Sequence, residues 1–129
     1  MITVEGKVSE PFGQLVPSWL KDASDGKTRR LNYLCNVLNL ESKRVMNTRY
    51  QLLHRAASAI IEAKRFNAKY AIMLVHSFSQ THEWFKDFQN FTTLYCCAAE
   101  RGNIHHLKHI NGVKLFTGWI TGNKKYLSK

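Results

Sequence analysis

Acidic residues are scarce in this chain: nine Asp and Glu stand against 19 Lys and Arg in 129 residues, a formal net charge of +10. A balance this basic points to an anionic partner. Nucleic acid is the most economical one, because Lys and Arg gain affinity from phosphates by releasing counterions. Cysteine is sparse too. Cys35, Cys96 and Cys97 are odd in number, two are adjacent, and none forms a Cys-x-x-Cys pair, which disfavours a disulfide framework and a cysteine zinc site and favours a reducing cytoplasm. No run of about 18 uncharged apolar residues exists, so no membrane span is expected. The opening residues, MITVEGK, lack the basic region, apolar block and cleavage site of a secretory signal. Serine nucleophile elbows, phosphate-binding Gly loops, dinucleotide fingerprints, internal repeats and interdomain linkers are also absent.

What is present is enough for one core. Hydrophobic residues make up 44% of the chain, with seven Phe, five Tyr and three Trp. A chain of this length buries roughly two thirds of its unfolded surface. Residues 1–129 are therefore read as a single domain.

Residues 1–8 are rich in β-branched side chains and predict a strand, ended by Glu10-Pro11-Phe12-Gly13. Pro17-Ser18-Trp19-Leu20 predicts a helical turn and Ser24-Asp25-Gly26 a second break. Apolar residues at spacings of three and four predict a short helix over 27–40, then a polar linker over 41–47. Thr48 is placed to cap a longer helix running to about residue 66. The continuous apolar run over 70–78 predicts a parallel central strand covered on both faces. Ser79 or Thr81 is expected to cap a helix to about residue 98, whose aromatic stripe from Trp84 to Tyr95 has core spacing. Residues 104–110, Asn111-Gly112 and 113–120 form a β-hairpin pattern, since Asn-Gly accepts the positive φ angles of a tight hairpin turn, and 122–129 reads as a frayed end. The order strand, helices, strand, helix, β-hairpin defines an α/β fold with a mixed sheet.

Three constellations can carry chemistry. Glu5 and Lys7 lie two apart on the first strand and so share a face, a carboxylate beside an ammonium. A metal-dependent phosphodiesterase uses such a pair, the carboxylate holding Mg²⁺ and the lysine serving the attacking water or the phosphate. An exposed ion pair on a solvated strand is the alternative. His105, His106 and His109 cluster on a predicted strand, with His105 and His109 on one face but about 13 Å apart, too far to chelate one ion. Basic residues recur through the helical half, among them Arg29, Arg30, Arg55, Lys64 and Arg65, as a phosphate-tracking surface without interleaved exposed aromatics, or as a solvated helical face.

Glu5-Gly6-Lys7, a following helix with Gln51, His54 and Arg55, and a buried parallel strand together resemble the PD-(D/E)XK nuclease superfamily. VEGKVSEPFG, TRYQLLHRAASAIIEAKRF and MLVHSFS resemble more closely an uncharacterised bacterial protein family, with nearly all of this chain matching that family's C-terminal portion. The resemblance implies a restriction-endonuclease-like core and Mg²⁺-dependent cleavage of phosphodiesters in nucleic acid, DNA ahead of RNA. In it Glu5 is the metal ligand, Lys7 lies beside the attacking water, and Gln51 and Arg55 orient water or phosphate. The superfamily also places an acidic residue, usually Asp, on a strand preceding Glu-x-Lys, and nothing precedes Met1. With Glu10 and Asp22 as the nearest substitutes, Mg²⁺ is expected to be held weakly or not at all and the chain to be N-terminally incomplete or inactive alone. Homo-oligomerisation, covering the sheet left open by such a gap, is the accompanying expectation, and a non-catalytic nucleic-acid-binding or oligomeric assembly protein is the rival reading.

Overall fold

The fold, given by a computed structural model, is described over residues 2–7, 12–21, 24–78 and 84–122, with side chains from residue 12 onward. It is an α/β domain built on one mixed sheet. Strands β1 (Ile2–Lys7), β2 (Tyr70–Ser77), β3 (Ile104–Ile110) and β4 (Val113–Thr121) lie in the order β1-β2-β4-β3. β1 and β4 flank β2 in parallel, and β3 pairs antiparallel with β4. The parallel pairing expected between the first strand and the apolar run is present, with Glu5 opposite Val75 and Lys7 opposite Ser77.

The hairpin forms where Asn-Gly places it: Asn111 and Gly112 have φ of 47° and 86°, the double positive of a type I′ turn. One irregularity changes the histidine arrangement. A bulge between His106 and Lys108 inserts Leu107, so His105 pairs with Thr117 but His109 with Lys114, on opposite faces. The expectation that His105 and His109 share a face fails because a single extra residue reverses the alternation. His106 instead packs on Phe116, ring centroids 5.0 Å apart.

The helices are α1 (Val16–Trp19), α2 (Asp25–Leu38), α3 (Tyr50–Arg65) and α4 (Phe85–Thr93). Ser24 accepts a hydrogen bond from the Lys27 amide, so α2 starts at Asp25 and absorbs Gly26 into its first turn rather than breaking there. Residues of the expected linker form a 3₁₀ turn, Ser42–Arg44. α3 packs on β1, β2 and β4 through Leu53, Ala56, Ala57, Ala59, Ile60 and Ala63, all fully buried, the alanines letting helix and sheet approach closely, and α2 packs against α3. Thr48 does not cap α3. Arg49 is the N-cap, and carbonyls from the segment after β1 accept the first amides: Tyr50 donates to Gln14 and Gln51 to Phe12. α4 ends at Thr93, short of residue 98, and Ser79 and Thr81 lie outside the described residues, as does 123–129. Its stripe is core packing, with Phe85 and Phe88 on Trp119 at 5.1 and 5.6 Å.

β2 departs from the expectation of two covered faces. Ala71, Met73, Val75 and Ser77 are buried beneath the helices, whereas Ile72, Leu74 and His76 are only half-buried. Among the described residues no helix packs on that second face, which Phe116 and Ile120 extend along β4, with Tyr70 and Ile104 more than half exposed. The run is continuous because this face is also apolar: Gly118 lets Leu74 and Ile104 close over the strand, where a Cβ would sit 3.3 and 3.2 Å from their side chains. No helix of the described residues is long and apolar enough to cross a membrane.

Candidate functional site

α3 ends four residues before β2 begins, so its first turn lies toward the C-terminal ends of the parallel strands. The residues there agree. Phe12, which accepts the Gln51 amide, meets Trp119 edge-on at 6.2 Å, and Trp119 shares a row with Val75 and the Glu5 position. Gln51 is half-buried in that first turn. Gly13, at φ +72°, sits so close that a Cβ would lie 3.0 Å from the Gln51 Cγ, a backbone conformation and a contact that both favour glycine.

Arg49 fixes this arrangement. Its Nε donates to the Asp87 carboxylate at 3.2 Å, its Nη1 to the Gly13 carbonyl at 3.1 Å, and its guanidinium lies 5.2 Å from the Trp84 ring centroid. It thereby ties the segment after β1, the start of α3 and the start of α4. A second tie joins α1 and α2: Trp19 stacks on Tyr50 at 4.1 Å and 13°, Lys27 sits 5.5 Å from the Trp19 ring and donates to the Trp19 carbonyl, and His54 follows Tyr50 at 6.0 Å. The first turn of α2 thus lies at this end as well.

Glu5 and Lys7 lie on β1, whose backbone alone is described. Gln51 and exposed Arg55 are one turn apart on α3. Arg29 and Arg30 occupy exposed positions early in α2, with the Arg29 Nε on the Asp25 carbonyl. Lys64 and Arg65 are not brought to this end. They are in the last turn of α3, about 20 Å along the helix from Gln51, where they complement the helix dipole. Glu10 and Asp22 lie outside the described residues.

The described residues do not assemble a magnesium site. They contain no group of three His, Cys, Asp or Glu able to hold a metal ion, and Asp87, an acid that reaches this end, is spent on Arg49. Two buried polar atoms lack a hydrogen-bond partner, Thr48 Oγ1 and Trp119 Nε1. The indole N–H is a donor, the wrong sign for a cation. Elsewhere, Tyr95 donates to the Leu38 carbonyl at 2.6 Å, and burial, then Cys35, holds its phenol far above the ordinary range. Burial also raises the Cys35 and Cys97 thiols.

Sequence reasoning missed the Arg49 clamp and the Trp19–Tyr50 stack. Basic residues do meet aromatics here, since Lys27, Arg49, Arg65 and Arg101 each lie over a ring. The helical-turn signal at Trp19 was the available hint; Asp87 had none, because its partner lies 38 residues away.

Fold and site define a mixed-sheet α/β domain with a β–α–β unit that gathers polar side chains at one sheet end. The chain belongs to the family described as Domain of unknown function (DUF6946), whose model matches residues 1–124. No curated protein and no solved structure matches it.

Proposed function

We propose that this chain is a nuclease-like, nucleic-acid-binding domain, related to the Mg²⁺-dependent phosphodiesterases of the PD-(D/E)XK superfamily, that does not complete a metal centre by itself. One observation carries the reading: the strand with Glu5 and Lys7 runs parallel to β2, and the intervening α3 has Gln51 in its first turn at the strands' C-terminal end. An amide at Gln51 and a guanidinium at Arg55 are groups suited to a water and to phosphate oxygens. The net charge of +10 supplies the long-range attraction.

The test is to incubate the purified chain with labelled DNA and RNA in Mg²⁺ or Mn²⁺ beside a Glu5→Ala variant. The expected result is binding that weakens steeply with salt and little cleavage. Absence of binding to either nucleic acid would refute the reading. Robust cleavage, lost in Glu5→Ala, would refute the incomplete centre.

A second reading, a non-catalytic assembly protein, is favoured by the open sheet face. A largely parallel sheet is normally covered on both sides, and the apolar side chains of β2 and β4 invite a cover.

A further inference from the structure

A polar groove runs along the β3 side of the helical layer, apart from the Gln51 end. Its largest recess, about 580 Å³, is lined by Asn32, Asn36, Glu41, Ser42 and Lys43 over a floor of Cys35 and Leu40. It continues past Asn39, Arg44 and Lys108, and then past Asn47, Asn90 and Thr93, neighbouring recesses sharing Leu40 and Arg44.

Two features separate this groove from an ordinary dent. Of the eight asparagines in the described residues, five line it: Asn32, Asn36, Asn39, Asn47 and Asn90. None of these five side-chain amides bonds within the described chain, unlike Asn103, which donates to Glu100. Each leaves two donors and an acceptor unspent. Cations also converge from distant parts of the sequence. Lys43 and Arg44 come from the 3₁₀ turn, and Lys108 comes from β3, where the bulge at Leu107 sets its register opposite Leu115. The single carboxylate, Glu41, is paired with Lys43 at 3.4 Å, and Arg44 is steadied by a hydrogen bond to the Leu94 carbonyl.

We propose that this groove binds a nucleic-acid strand, with Arg44 and Lys108 on its phosphates and the asparagine amides on its base edges. Amides hydrogen-bond base edges, and lining a groove they meet those edges most readily on an unpaired strand. The proposal deepens the nucleic-acid reading above and rests on it.

Fluorescence polarisation with labelled single-stranded and duplex oligonucleotides tests it, on the wild type, on an Arg44→Ala/Lys108→Ala variant and on a Lys21→Ala/Lys86→Ala variant that removes equal charge elsewhere. The groove variant is expected to bind the single strand roughly tenfold more weakly at moderate salt. Its slope of log affinity against log salt should fall by about two, one counterion per lost phosphate contact. The Lys21/Lys86 control should shift affinity less than threefold. Asn32→Ala/Asn36→Ala should weaken the single strand more than the duplex and leave the slope unchanged, a readout that survives if the charge variant folds poorly. Wild-type binding with equal loss in groove and control variants would overturn the groove while leaving the nucleic-acid reading intact. Failure of the wild type to bind any oligonucleotide would overturn both.

Discussion

Replacing Arg49 with Met should loosen the Gln51 end of the sheet more than any other single surface-proximal change. Arg49 and Asp87 are 20% and 17% exposed, so the pair is partly shielded from water. The substitution removes the ion pair, the charged hydrogen bond to the Gly13 carbonyl and the contact over Trp84, and it leaves Asp87 unpaired. A charge-assisted hydrogen bond contributes about 1.5–3 kcal/mol. The ion pair, discounted for residual solvent screening, adds about 1 kcal/mol, and the ring contact about 0.5. Roughly 3 kcal/mol should be lost on these principles, a fall in Tm of about 10 °C for a domain of this size. Asp87→Asn should cost about 1 kcal/mol, and the double variant less than the sum by about 1 kcal/mol, because the second change removes a partner already gone. Urea unfolding of the four proteins measures the cycle. An Arg49→Met loss below about 0.5 kcal/mol, or additivity within about 0.3, would show that the clamp is decorative.

Gly13→Ala should cost about 1–2 kcal/mol in urea unfolding, from the positive φ and the contact with Gln51, and adding Gln51→Ala should recover only the contact. Alkali should destabilise the fold. Burial holds Tyr95 protonated above its ordinary value of 10.0, and Cys35 above 9.0, so from about pH 9 upward the unfolded chain releases protons that the folded chain keeps, and stability falls as pH rises. Tyr95→Phe should flatten that fall above pH 10 in thermal melts and cost about 1 kcal/mol at neutral pH through the lost bond to Leu38. Light scattering should detect association through the open sheet face, abolished by Phe116→Glu with Ile104→Lys; a monodisperse wild-type monomer at high concentration would count against it.

Much of the fold was legible because its signals are local. Asn111-Gly112 dictates its own turn, and the threes-and-fours spacing of α3 dictates its buried stripe. The order of β1, β2 and β4 followed from the crossover rule applied to two apolar strands. What escaped was non-local or bistable in pattern. A continuous apolar run reads the same whether its second face meets a helix or lies open, so β2 misled. The bulge at Leu107 adds one residue without altering composition, and it turned His105 away from His109. At the candidate site, Gln51 was legible as the polar stripe of an amphipathic helix. Its support by Gly13 and Arg49 was not, because the chain supplies those α3 amides with loop carbonyls where a Thr48 cap would have served.

The central claim is that the Glu-x-Lys strand and the first turn of α3 face one site, and a crystal structure of the chain tests it most directly. The account predicts the Glu5 carboxylate within about 15 Å of the Gln51 amide, the reach of one site holding an ion and its waters. A longer separation, or residues 1–8 folded as helix, would contradict it.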